Sequence, residues 1–435
     1  MKKFIILSSI VCLSIFAFSC DRQKQPPLDD QKNTTTPEPL RQDRDYLDDS
    51  AANSNNTNEI VQANNIFSMD YYQQIKDQEK GNIFFSPYSI STALSMTFEG
   101  ARGETASQIQ SVFHLPYSSI DRQAGMAAIY NMLNLSDNGY QLSTANSLWI
   151  QQDYQLLAEY QDIILKYYGG EANNVDFVNA TEQARQTINK WVEEQTNDKI
   201  KDLFPEGSLH DLTRLVLTNA IYFKGDWAHQ FDKKNTVEED FFVSDKKIVS
   251  VPMMKLTDED IDFSYMEDDQ VQVLEMKYKG EELSMMIILP KEDLEEIEEL
   301  LSIDKIKEWK KQTYTHPVYI NLPKFTFKQE YLLNDSLKEM GMPAAFTPPS
   351  LPGGADFSGM TKEKELFIDL VIHQAFIEVN EEGTEAAAAT GVAMTMEAAM
   401  EMPPLFRADH PFIFIIQHRE TGNILFMGRM MDPTA

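Results

Sequence analysis

Cysteine is almost missing from this chain. Cys12 and Cys20 are the two in 435 residues, too few for a disulfide framework or a Cys-rich metal site. Basic residues are scarce as well: 38 Lys and Arg stand against 68 Asp and Glu, a formal net charge of −30. That balance excludes sequence-independent nucleic-acid binding, because neutralising phosphates takes clustered Lys and Arg. It also argues against a polyanionic, heparin-like activator. Histidines number seven, and none belongs to an HExxH zinc helix. The GxxxxGK[ST] phosphate loop, the GxGxxG dinucleotide turn and the GxSxG nucleophile elbow are all lacking. The nearest glycine pair, Gly100-Ala101-Arg102-Gly103, reads as a turn that ends a helix. Carboxylates are abundant, but nothing singles out an acid/base pair. The acidic stretches Asp258–Asp262 and Glu267–Asp269 lack EF-hand spacing and read as solvated loops. No catalytic residue, metal or cofactor is assigned, and the chain is not read as an enzyme. What it does have is 42% apolar residues, enough to bury a large core.

The chain begins with an address. Lys2 and Lys3 precede an apolar run from Phe4 to Phe18, too short for a comfortable membrane span, so residues 1–19 read as an export signal. Ala17-Phe18-Ser19-Cys20 resembles a bacterial lipobox, although Phe18 is bulkier than the residue usual there. The resemblance implies that Cys20 becomes the acylated N-terminus, a lipid anchor to the cell envelope. The outer membrane is the expected place, with the inner membrane as the alternative and a surface-exposed domain as one of the two facings left open. The other reading is an ordinary cleaved signal that leaves one odd cysteine. Residues 20–58 are rich in Gln, Asn, Asp, Pro and Thr and read as a disordered acidic tether.

From Glu59 onward the pattern is that of one α+β domain, residues 59–435. Ile60, Phe67, Tyr71 and Ile75 fall near helical spacing. Ser86-Pro87 predicts a helix start carrying Ile90, Ala93, Leu94 and Phe98. Thr105 and Gln108 predict a capping box ahead of Ile109, Val112 and Phe113. Strands are predicted at Val271–Met276, Leu283–Leu289, Val318–Leu322, Phe412–Ile416 and Ile424–Arg429, with Arg419–Asn423 as a hairpin loop. Glu292–Lys311 reads as one acidic amphipathic helix with a solvated face.

One segment fits neither core nor surface. Glu381-Glu382-Gly383-Thr384-Glu385 runs into Ala386-Ala387-Ala388-Ala389-Thr390, then Gly391-Val392-Ala393-Met394-Thr395-Met396-Glu397. By propensity it is a helix. By alternation it is a strand, since even positions from Thr384 to Met396 are small or apolar while the charges fall at Glu385 and Glu397. Its flanks resemble the serpin family. Val371-Ile372-His373-Gln374-Ala375-Phe376 through Glu385-Ala386 is similar to the family's strand and hinge, and Arg407-Ala408-Asp409-His410-Pro411-Phe412 to its C-terminal signature. Asn82-Ile83-Phe84-Phe85-Ser86-Pro87 is similar to its early helix. Leu217-Thr218-Asn219-Ala220 through Gly225-Asp226-Trp227 resembles its central strand, and Leu425-Phe426-Met427-Gly428-Arg429 its chain end.

The resemblance implies a serpin fold: large mixed β-sheets surrounded by helices, with an exposed reactive-centre loop at about residues 381–405. It implies a suicide-type inhibitor of serine, or cysteine, endopeptidases. The protease cuts the loop, forms an acyl-enzyme, and is carried away as the hinge enters the central sheet, a standard example of strand addition and of switching. The hinge would comprise Glu381, Glu382, Gly383, Thr384, Glu385, Ala386, Ala387, Ala388, Ala389 and Thr390. A small, uncharged Thr384 suits insertion. Fourteen positions beyond Gly383, and fourteen before Pro411, both land on Glu397, so the reactive bond is placed at Glu397-Ala398, with Met396 and Met394 as alternatives. Glu397 suits a glutamate-preferring protease; the alternatives suit elastase-like or chymotrypsin-like enzymes. Trypsin-like enzymes are disfavoured, since no Lys or Arg lies between Gly383 and Leu405. Ser86, Ser89, Asn219 and His373 match the family's buried polar cluster, and Trp227 a residue near the point of loop entry. Gln374 departs from the Lys usual after this His. The implied partners are target proteases, in covalent complex, and a membrane through the anchor; a monomer is expected. A non-inhibitory serpin-fold binding or surface protein is the alternative.

Overall fold

Ser86-Pro87 starts a helix as predicted. The Ser86 hydroxyl accepts from the Ser89 amide at 3.2 Å, Pro87 occupies the first turn, and the helix runs Pro87–Gly100. It is buried on nearly every side because it packs on strands of two different sheets. The computed structural model in which this is seen describes residues 46–134, 139–383 and 402–435. The signal, Cys20, most of the tether, hinge residues 384–390, Met394, Met396 and the Glu397-Ala398 bond lie outside the described residues.

Three sheets organise the described chain, an α+β arrangement. The central sheet has five strands in the order Phe325–Leu332, Leu370–Val379, Leu215–Gly225, Tyr140–Gln151, Glu171–Val175. A seven-stranded sheet runs Ile83–Phe85, Ile424–Met430, Phe412–His418, Leu283–Pro290, Val271–Lys277, Asp262–Glu267, Tyr314–Pro317. A four-stranded sheet runs Leu405–Arg407, Tyr319–Pro323, Lys247–Leu256, Val237–Ser244. The predicted strands are all present to within one or two residues, and Arg419–Asn423 joins the antiparallel pair Phe412–His418 and Ile424–Met430.

The main core lies between the central and seven-stranded sheets. Phe84 stacks on Phe426 at 5.3 Å and Phe414 at 5.8 Å, and meets Phe327 of the central sheet edge-on at 5.9 Å. Fully burying such a ring is worth roughly 1.5–3 kcal/mol. A second core covers the other face of the central sheet. There helix Thr181–Gln195 sets Ala184, Ile188 and Val192 against Ala145, Trp149, Val216, Ala220 and Ile372, and the segment after it adds Ile200, Leu203 and Phe204.

Three expectations are corrected. The folded chain reaches back past Glu59: Leu47 is buried, its amide and carbonyl are held by Asn131 at 3.0 and 2.9 Å, and Asp48 pairs with Lys166 at 2.7 Å. Asn53 and Asn56 form a capping box that starts helix Ser54–Ile75 inside the expected tether. Thr105 and Gln108 make no capping box. They lie within helix Gly103–Val112, where the Thr105 hydroxyl accepts from the Asp356 amide (3.0 Å) and Gln108 from the Ala344 amide (2.9 Å). Tertiary donors outcompete the local ones. Glu292–Lys311 is two helices, Leu294–Leu300 and Ile303–Gln312, because the Ser302 hydroxyl caps the second through the Lys305 amide at 3.2 Å. Nor is the first helix wholly solvated. Glu298 is buried, accepting from Arg429 at 2.9 Å and from the Tyr72 hydroxyl at 2.5 Å.

Candidate functional site: a parallel seam and its clamps

Inside the central sheet, Leu370–Val379 and Leu215–Gly225 run parallel, in register from Leu370 opposite Val216 to Phe376 opposite Tyr222. Beyond Val379 the chain reverses in a tight turn: the Asn380 amide donates to the Gly383 carbonyl at 2.9 Å, and the Gly383 amide to the Asn380 carbonyl at 3.2 Å. A strand linked by a tight turn to Leu370–Val379 pairs with it antiparallel. It is then antiparallel to Leu215–Gly225 too. The seam can therefore take one more strand, with hydrogen-bond ladders on both sides. Gly383 has φ +132°, open to glycine alone, and a Cβ there would collide with the backbone of Gly225, Asp226 and Trp227.

The turn is clamped. The Glu381 carbonyl accepts from the Phe231 amide and the Glu382 carbonyl from the Trp227 amide, both at 2.8 Å. The Trp227 indole donates to the Asn380 carbonyl at 3.1 Å while its ring stacks on Tyr278 at 4.6 Å. Lys324 pairs with the Glu381 carboxylate at 2.9 Å, the Thr236 hydroxyl donates to it at 2.8 Å, and Lys233 holds Glu382. Burial opposes ionisation of Glu381, yet Lys324 and Thr236 keep its pKa below the ordinary carboxylate value.

Midway down the seam lies a fully buried polar cluster. His373 Nε2 accepts from the Ser86 amide at 3.0 Å, and His373 Nδ1 bonds the Asn219 carbonyl oxygen. Since an amide N–H can only donate, the tautomer follows: Nδ1 carries the proton. Asn219 Nδ2 donates to Ser89 Oγ at 2.7 Å and Asn146 Oδ1 at 2.6 Å, and the Ser86 hydroxyl donates to the Leu425 carbonyl at 2.6 Å. Burial pushes the His373 pKa down to about 3.

Two further contacts cross the seam. Near its upper end, the Lys199 ammonium lies 5.5 Å from the Tyr222 ring and 5.8 Å from Phe376, the last pair in register. At its base, Asp369 accepts from the Arg214 amide at 2.6 Å and the Leu215 amide at 3.1 Å. Burial raises its pKa despite both donors.

These features coincide with a known family. The family model described as Serpin (serine protease inhibitor) matches residues 62–433. The chain belongs to the serpin family. An uncharacterised serpin-like protein of Thermococcus kodakarensis is 46% identical over 380 residues, with 86% of each chain covered. Leukocyte elastase inhibitor A of Rattus norvegicus is 40% identical over 386 residues, covering 86% of this chain and all of that one. Among solved structures, Serpin48 of Tenebrio molitor superposes with a TM-score of 0.76 at 34% identity, over 86% of this chain and 98% of that one.

In this serpin the structure brings Ser86, Ser89, Asn219 and His373 into one network, and sets Trp227 against Asn380, Glu382 and Gly383. Sequence reading missed Asn146, Asp369, Lys199, Lys233 and Lys324. None of them carried a signal: Asn146 lies in a strand that also holds Gln141, Ser143, Thr144 and Ser147, so one more polar residue does not stand out. Gln374 donates to Glu330 at 2.7 Å, while its own carbonyl oxygen has no partner among the described residues. An amide thus stands where a charged Lys is usual, tied to a carboxylate whose pKa burial raises.

Proposed function

We propose that this serpin is a suicide-type inhibitor that traps serine proteases when its cut reactive loop enters the seam between Leu215–Gly225 and Leu370–Val379. The observation that carries the reading is the directly paired parallel seam with a hinge turn poised at its end. About a dozen new ladder hydrogen bonds at ~1 kcal/mol each would release on the order of 10 kcal/mol. Burial of Val392, Met394 and Met396 adds a few more. The uninserted form is then held kinetically, by the clamps, rather than by equilibrium. Distorting a trapped protease removes the oxyanion hole and triad geometry that deacylation needs. The inhibitor therefore needs no catalytic residue of its own.

Cleavage is assigned to Glu397-Ala398, with Met396 or Met394 as alternatives. The targets are glutamyl, elastase-like or chymotrypsin-like proteases, and a relative named as an elastase inhibitor supports the elastase arm. Export and acylation of Cys20, placing the inhibitor on the bacterial envelope, complete the reading. The test is incubation of the full chain with elastase, chymotrypsin and a glutamyl endopeptidase, followed by a denaturing gel. A complex that survives denaturation is expected, with the released C-terminal peptide beginning near Ala398. Cleaved chain alone, with all three enzymes, refutes trapping and leaves the non-inhibitory binding role.

A further inference from the structure

The loop region ends at the short strand Leu405–Arg407, which lies at the edge of the four-stranded sheet and pairs there with Tyr319–Asn321. Just beyond it, the half-buried His410 imidazole has an acceptor on each ring nitrogen. Nδ1 is 2.9 Å from Asp409 Oδ1, and Nε2 is 2.7 Å from the Pro290 carbonyl oxygen, at the end of strand Leu283–Pro290 in the seven-stranded sheet. A carbonyl has no proton to give. The Asp409 oxygen is an acceptor as well, and Arg407 Nε pairs with the other oxygen of the same carboxylate at 2.8 Å. A neutral imidazole owns one N–H and would turn a lone pair toward one of these oxygens. Both bonds form together only in the imidazolium.

We propose that His410 is a pH-operated pin for the distal end of the reactive loop. Charged, it ties the segment after Leu405–Arg407 to the seven-stranded sheet; neutral, it releases one of its two holds. The surrounding charges make the pin part of a chain. Lys255, on Lys247–Leu256, pairs with Glu239 on Val237–Ser244. Glu239 accepts from Arg407 at 3.1 Å, Arg407 pairs with Asp409, and Asp409 with His410. The Asp409 carbonyl also accepts from the Phe242 amide at 2.7 Å. From Leu283–Pro290 the group that meets the ring is the Pro290 carbonyl. Burial opposes charging the ring, but Asp409 and the Pro290 carbonyl overcome it, so the His410 pKa lies above the ordinary value of 6.5. For a histidine raised on folding, the stabilisation is complete below pH 6.5 and is lost as the pH rises through the folded value.

The consequence rests on the trapping mechanism proposed above. An uncut loop is tied at Gly383 and again at Leu405. Entry of its far half into the seam competes with that second tie. Releasing one of the His410 holds weakens the second tie, which the pairing of Leu405–Arg407 with Tyr319–Asn321 also keeps, and so favours self-insertion, in which the inhibitor is spent without meeting a protease.

The experiment follows the histidine ring resonances of the full chain through a pH titration, with His410→Gln to assign His410. It also measures, for both proteins, the half-life of trapping activity at about pH 6 and about pH 8.5. The expected results are a His410 pKa above 6.5, a wild-type half-life several-fold shorter at the higher pH, and a short, pH-independent half-life for His410→Gln. A His410 that titrates at or below 6.5, or a variant that keeps the wild-type pH dependence, overturns the pin. If the chain traps no protease, that refutes the mechanism above and not the pin. The ring titration, with a loss of thermal stability between the two pH values in wild type but not in His410→Gln, still decides it.

Discussion

Acidification should loosen the seam at His373. Its Nε2 accepts from the Ser86 amide, so protonation would set an N–H against an N–H in a site closed to water. The folded pKa of about 3 lies below the ordinary histidine value of 6.5. A histidine depressed on folding contributes its stability above 6.5 and loses it as the pH falls from there toward 3. Integrating the proton uptake of the unfolded chain gives a loss of about 2 kcal/mol at pH 5 and about 3 kcal/mol at pH 4. Many carboxylates titrate over the same range, so the measurement has to be differential. Urea unfolding of wild type and His373→Gln at pH 7 and pH 5 isolates the effect, because the carboxylate terms are common to both. At pH 7 the variant should be the weaker by about 2 kcal/mol, for two buried hydrogen bonds lost or bent. At pH 5 most of that gap should vanish. A gap that stays constant between the two pH values would refute the assignment of a neutral, accepting Nε2.

Other perturbations test the clamps and the core. Arg429→Met strands the buried Glu298 carboxylate and should cost about 3–5 kcal/mol in chemical denaturation, with part of the loss recovered in the double variant with Glu298→Gln. Gly383→Ala forces a methyl into the backbone of Gly225 and Trp227 at φ +132°. It should cost about 1–3 kcal/mol and raise the solvent exposure of Trp227, read by fluorescence quenching.

What the sequence revealed and what it withheld divide along sequence separation. Ser86-Pro87 was legible because a cap and a first-turn proline act within a few residues of each other. Short continuous apolar runs marked Leu283–Pro290 and Phe412–His418, because such a run, buried on both faces of a sheet, is a local property. The clamps were not legible. Lys324 meets Glu381, and Asp369 meets the amides of Arg214 and Leu215, across long stretches of chain, and nothing about a lone Lys or Asp announces such a partner. Leu47 was lost in a polar composition for the same reason, its anchor being Asn131. Thr105 and Gln108 show the converse: the local pattern was correct, and distant amides claimed both side chains. The family resemblance supplied the cluster of Ser86, Ser89, Asn219 and His373 as a set, while its fifth member, Asn146, came from the geometry.

Helix Thr181–Gln195 covers one face of the central sheet and the main core fills the other. A new strand cannot be laid into the seam broadside. In the proposed mechanism it has to be threaded, beginning at the end where Gly383 already turns. Commitment then belongs to the residues that enter first, Thr384 and Ala386, while those that enter last decide only how deep the finished state lies. In that mechanism position along the loop becomes order in time: early residues govern the race against deacylation, and late ones govern permanence.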